Sequence, residues 1–411
     1  MVKITRRIIH TRNVVLCGGG LLVYAKRMNE YAKQRARDKI VGLAGQGLDL
    51  VTFWRESGEA LVRAVPHYLS PCWFTLDPVS LLVTSHYQTG ILEIPSEWLA
   101  HEYFEDDFHT LADVARSERG LSTLHEATAG EVSRSPKWNA FIQPYGGDQE
   151  LLVALRTRTG DAWGVLGLYR EPGQPLFDRD EFRFLSEVSP YLAEGARRAL
   201  LVGEACDPEG PETPGLVVLW EDWSVESITP GVAHLLAELP DSEWEGRGKL
   251  PPSVLAVAGR ALRAAEHADA PGEVAFARVL SRAGRWMVLH GVALVADGAR
   301  RVAVIVEPAG PARIASLLMA AYGLSDREQE VTRLVLQGNS TAQIAERLVV
   351  SVHTVQQHLK SIFDKTGVHS RRELVGKVFF SHYEPRLRDN ERRAVAGRPL
   401  RGGPLDQRSN V

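Results

Sequence analysis

Residues 351–366 read SVHTVQQHLKSIFDKT. Val355, Leu359 and Ile362 recur at steps of four and three, the spacing of one helical face. Turning those three inward puts His353, Gln356, Gln357 and Lys360 on the opposite, solvent-facing side. Their chemistry suits base edges: a Gln amide can make paired hydrogen bonds to adenine N6 and N7, and a Lys ammonium can donate to guanine O6 and N7. Ser340, Thr341, Thr354, His358, Lys365 and Arg371 flank that face with hydroxyl, imidazole and cationic groups of the kind that contact phosphates.

Further upstream the candidates are sparser. His101, Glu105 and His109 fall four apart, as metal ligands on one helical face can, but with Glu102, Asp106 and Asp107 beside them they read better as a solvated acidic helix, and no metal is expected. Cys72 next to Trp73, together with Trp138 and Trp163, forms the candidate ligand pocket; all four would also serve as core. No G-xxxx-GK[ST] phosphate loop occurs, nor the acidic cluster of a phosphoacceptor domain, so no catalytic residue and no cofactor is assigned.

The elements that must carry the solvent-facing quartet are announced by serines. Ser325 with Glu328, Ser340 with Gln343 and Ser370 with Glu373 are capping boxes, and Ser351 with Thr354 is a weaker form. Gly338 and Gly367 follow the apolar-periodic runs as helix stops. The spacing predicts helices at about 326–337, 341–348, 352–366 and 371–380. Val331, Leu334, Val335, Ile344, Ala345 and Leu348 complete a shared core, and the short Val349-Val350 link makes the second and third helices a helix-turn-helix.

The stretches LSDREQEV (324–331), GNSTAQIAERL (338–348) and SVHTVQQHLKSIFDKTGVHSRREL (351–374) resemble the LuxR/FixJ-type DNA-binding domain almost throughout. Many members carry Lys where this chain has Gln356, so the preferred sequence is not transferred. The resemblance implies double-stranded DNA as partner and a last helix that pairs two copies. Here that helix carries Leu374, Val375, Val378 and Phe379, more apolar surface than one flank of a small bundle buries, so a homodimer is expected.

Two stretches ahead of this domain read as mixed strand and helix. In 40–205, runs at 72–76, 81–85, 151–157 and 163–169 are strand-like, and Asp178 with Glu181 caps a helix that Pro190 should break or kink. This ordering, with WGVLGLYREPGQPLFDRDEFRFLSEV at 163–188, resembles the C-terminal half of a GAF domain, which implies a small-molecule or protein-signal cavity on one face of an antiparallel sheet. Beyond a Pro- and acid-rich linker at 206–214, residues 215–310 order as two strands, helices and three strands, resembling a PAS domain. The expected fold class is multidomain α+β: GAF-like and PAS-like antiparallel-sheet domains, then an all-α four-helix LuxR-type domain at 315–381. A basic, disordered tail follows at 382–411.

Bulk properties fit this division. The net charge of −3 is polarised: residues 325–380 hold eight Lys or Arg against six acids, and the tail seven Arg against four acids. Any polyanion-binding surface is therefore local. Three scattered cysteines suit a reducing compartment, and the cytoplasm is expected. In the N-terminal extension (1–39), the apolar run at 14–25 contains Gly18, Gly19 and Gly20 and is too short to span a bilayer; it is read as partly disordered, or as a start placed ahead of Met28. The function expected is a sequence-specific transcription regulator answering an unknown small-molecule or protein effector, with RNA polymerase a further candidate partner and no membrane. The alternative is a GAF-based thiol or metal enzyme with secondary DNA binding.

Overall fold

The computed structural model describes residues 20–89, 97–201, 214–244, 249–267, 274–296, 299–309 and 311–375. Helices α1 (Gly20–Ala44) and α2 (Leu50–Leu61) come first; the Asp49 carboxylate accepts from the Thr52 amide and starts the second. Strands β1 (Tyr68–Leu76) and β2 (Val83–Tyr87) follow, then α3 (Trp98–Phe104), α4 (Leu111–Arg116), β3 (Leu121–Thr123) and α5 (Leu124–Ala127). After a wide helical turn at Trp138–Ile142, β4 (Gln149–Arg156) and β5 (Ala162–Arg170) complete an antiparallel sheet of order β2-β1-β5-β4-β3.

Helix α6 (Arg179–Ala199) closes this unit behind the predicted Asp178–Glu181 capping box. It runs unbroken across Pro190, against expectation. The apolar residues Phe184, Leu185, Val188, Leu192 and Ala196 pack on both sides of the proline, and Ser189 Oγ donates to Ala154 O at 2.6 Å, which together outweigh one lost helical hydrogen bond. Helix α1 packs against α6 with Ala36 and Ile40 buried, so it crosses the expected boundary at residue 40 as one element of this unit.

The second unit repeats the strand order. Strands β6 (Gly215–Trp220) and β7 (Val225–Ile228), helices α7 (Val232–Glu238) and α8 (Pro252–Glu266), and strands β8 (Phe276–Leu280), β9 (Trp286–Ala296) and β10 (Ala299–Pro308) build a sheet of order β7-β6-β10-β9-β8. The linker lies mostly outside the described residues, as do residues 1–19 and everything after 375, including Val378, Phe379 and the tail.

The two sheets share one apolar core. Phe74, Leu152 and Val165 of the first belong to the same cluster as Val217, Leu289 and Val304 of the second, with α3 and α8 between them. A Cβ on Gly259 of α8 would stand 2.2 Å from Ala100 O, so only glycine lets these helices touch. At the same border Arg278 grips Asp77 with two parallel hydrogen bonds of 2.8 and 2.7 Å, the side chains 3% and 0% exposed.

Helices α9 (Pro311–Ala321), α10 (Asp326–Leu336), α11 (Thr341–Leu348) and α12 (Val352–Thr366) form the C-terminal part. Leu317 and Ala321 of α9 pack on Trp163 of the first sheet, while Met319 of the same helix lies in the C-terminal core. Arg197 of α6 donates to the carbonyls of Ala320 and Ala321, and Arg278 Nη1 reaches Ser316 Oγ at 3.2 Å.

Candidate nucleic-acid interface

The C-terminal helices start where the serines place them. Ser325 and Ser340 each complete reciprocal capping boxes, Ser351 Oγ accepts from the Thr354 amide, and Ser370 Oγ from the Glu373 amide. Residues 371–375 continue as the start of a fourth helix. Val331, Val335, Ile344, Ala345, Val355, Leu359, Ile362 and Val368 close the core. Burying Val355, Leu359 and Ile362 leaves His353, Gln356, Gln357 and Lys360 exposed together along α12.

Gln357 Nε2 lies 3.1 Å from His353 Nε2, so these two side chains brace one another one turn apart. Gln356 and Lys360 make no hydrogen bond among the described residues and remain available to a ligand. Val352, which the sequence reading did not single out, is 46% exposed at the start of α12 beside His353. Between α11 and α12, Val349 takes a left-handed conformation (φ 53°) and is 90% exposed.

The flanking residues are more engaged than their sequence suggests. Lys365 Nζ donates to Glu328 Oε2 at 2.6 Å, and Ser361 Oγ donates to Glu328 Oε1 at 2.6 Å. Burial would raise the Glu328 carboxyl, but these donors and the Ser325 amide outweigh it and hold the group below its ordinary range. Arg371 donates to Asn339 O, linking the fourth helix to the start of α11. Thr354 Oγ1 pairs with Ser351 Oγ at 2.8 Å; Ser340 is spent as a cap, and Thr341 and His358 are half-buried. Leu374 is fully buried in the core of its own domain, so it offers no surface for pairing; Val375 is 37% exposed.

The four residues expected to form a ligand pocket do not converge. Consecutive strand residues face opposite ways, so Trp73 turns toward α2 and stacks on Trp54 at 4.4 Å, while Cys72 faces the other side of the sheet. Trp163 sits against α9, six residues or about 20 Å along β5 from Tyr169. Trp138 donates its indole N–H to Asp148 O at 2.9 Å. Of the four, only Cys72 lines the solvent-open cavity between the face of β1, β4 and β5, helix α3 and residues 137–147.

At its floor lies a buried charge cluster. Lys137 Nζ stands 3.0 Å from Glu150 Oε2 and 3.5 Å from Glu102 Oε2, and donates to His109 O at 2.6 Å. Glu150 also receives His109 Nδ1 at 3.0 Å and the Tyr169 hydroxyl at 3.1 Å. Burial would raise Glu150, but Lys137 and His109 pull it down to about 2; burial wins at Glu102 and lifts it to about 7. Burial also pushes the Cys72 thiol far up, away from nucleophile chemistry. His101 pairs with Glu105 at 2.7 Å, whereas His109 lies beyond the end of α3, so the three spaced residues do not share a helix.

Residues 323–378 match the family described as bacterial regulatory proteins, luxR family. The C-terminal domain is a luxR-family helix-turn-helix domain. The HTH-type transcriptional regulator Mb0914c of Mycobacterium bovis is 48% identical over 55 residues, 13% of this chain and 6% of that protein. A monoamine regulon transcriptional regulator of Klebsiella aerogenes is 41% identical over 56 residues, 14% of this chain and 25% of that protein. The chain thus spans a quarter or less of these curated relatives. The solved Vibrio cholera VqmA-ligand-DNA complex overlaps 42% of this chain and 84% of its own at a TM-score of 0.20 and 15% identity, too low to bear on the fold.

Proposed function

We propose that the protein is a cytoplasmic, sequence-specific transcription regulator that binds double-stranded DNA as a homodimer through α12. The observation that carries this reading is the exposed row His353, Gln356, Gln357 and Lys360 opposite the buried Val355, Leu359 and Ile362, within a domain of the luxR family. The strand order common to both sheets supports reading 40–205 as GAF-like and 215–310 as PAS-like sensory units that answer a small-molecule or protein effector. RNA polymerase is a further candidate partner. The deep burial of the Cys72 thiol speaks against a thiol enzyme on the same scaffold.

Selection of duplexes from a random pool by the full-length protein tests it. The enriched fragments should share an imperfect palindrome with half-sites about 10 bp apart centre to centre. Gln356→Ala should cost about 1–3 kcal/mol at that site and relax the base preference there. A pool that emerges with no shared sequence would refute base reading.

A further inference from the structure

The cavity beside Cys72 has a definite chemical character, and assigning its ligand rests on the sensory reading of the first sheet. Its walls are aromatic. Phe74 stacks on the His86 imidazole at 4.8 Å and 16°, and Trp98 meets Phe74 edge-on at 5.6 Å and 69°; Phe141 and Tyr145 line the same space. These rings pack on one another and together present an aromatic wall to the cavity, a surface that suits a flat ring better than a flexible chain.

The charges at the floor are already spent. Lys137 directs its ammonium to Glu150, Glu102 and the His109 carbonyl, and Glu150 accepts from Lys137, His109 and Tyr169. A charged ligand would enter without a counter-ion and leave its own charge unpaired in a desolvated site. The polar groups left over are neutral. The His86 ring and the Gln88 amide line the cavity and make no hydrogen bond among the described residues, and burial pushes His86 down to about 4, so its imidazole is uncharged at neutral pH.

We propose that this cavity binds an uncharged, planar aromatic molecule of one or two rings, packed against Phe74 and Trp98 with its polar edge on His86 and Gln88. The site is placed to be felt by the rest of the chain. The His86 amide donates to Asp241 of the second unit at 2.7 Å, and Trp98 belongs to α3, the helix pressed on α8.

Calorimetric titration of the full-length protein with three probes sharing one ring system tests the assignment: indole, the anion indole-3-acetate and the cation tryptamine. Indole should bind at one equivalent per chain, each charged probe at least tenfold more weakly. Trp98→Leu should weaken indole at least tenfold, and Gln88→Leu, which leaves the core untouched, severalfold. Charged probes that match indole would overturn the charge argument. Wild-type binding by both variants, or no binding of any probe at millimolar concentration, would overturn the site. DNA selection by the same preparations is a separate readout, so loss of the ligand assignment and loss of the DNA-reading function are told apart.

Discussion

Removing the Asp77 carboxylate should test whether the two sheets are one thermodynamic body. Asp77 accepts the bidentate pair from Arg278, the Arg278 amide at 3.0 Å and the Val79 amide at 2.9 Å, and neither charged side chain reaches solvent. Asp77→Ala strands a buried guanidinium, and breaking such a pair from one side costs about 3–5 kcal/mol. With a urea slope of about 2 kcal/mol per molar, the midpoint should fall by about 1.5–2.5 M. Tryptophan fluorescence reports both sheets, since Trp73 is buried in the first and Trp223 in the second. Because the core is continuous, the loss should appear as one shifted transition. Asp77→Leu with Arg278→Met, which removes both charges, should recover part of it, the Arg278 and Val79 amides still lacking their acceptor. A change under 1 kcal/mol, or a split in which one sheet melts early and the other keeps its midpoint, would refute the shared-core reasoning.

Three further outcomes are expected. Val349→Gly relieves a left-handed valine worth roughly 1–2 kcal/mol, partly offset by glycine's greater unfolded-chain freedom, so the C-terminal domain should gain about 0.5–1 kcal/mol in thermal unfolding; a loss would mean the turn is held by contacts. Glu102, raised by burial to about 7, binds its proton more tightly in the folded state, so its contribution is intact below about 4.5 and fades as pH climbs to about 7. Glu102→Gln should therefore flatten the decline in stability across that window, and an unchanged pH profile of urea midpoints would count against it. Arg371→Ala should shallow the salt dependence of DNA affinity by about one unit. Lys365→Ala should do so by less, its ammonium being shared with Glu328, and a flat response to both removes them from the phosphate contacts.

The C-terminal domain was almost wholly legible because its determinants are local. A cap at Ser325, Ser340 or Ser351 and a core position three or four residues on need no knowledge of distant chain. The cavity failed for a reason equally local: Cys72 and Trp73 are neighbours on a strand and must part. Residues 137 and 150, and 77 and 278, signal nothing in isolation, since Lys137 with Glu150 and Asp77 with Arg278 acquire meaning only once folding brings them within 3 Å of one another. Pro190 misled because propensity was weighed without the packing on either side of it. The merging of the two sheet units was likewise invisible, because Gly259 reads as a weak helix residue until Ala100 stands against it.

Helix α9 has a practical consequence for anyone who cuts the chain. It lends Leu317 and Ala321 to Trp163 on one side and Met319 to the DNA-binding core on the other, so neither half owns it. A fragment starting at Gly323 leaves a hole where Met319 was. One starting at Pro311 keeps Met319 but bares an oily strip that the intact protein never shows to water, and two such fragments can stick through it. Self-association measured on that fragment would then mix an artefact of the cut with the proposed homodimer pairing. Replacing Leu317 and Ala321 with Lys or Glu in the fragment, and leaving Met319 alone, separates the two.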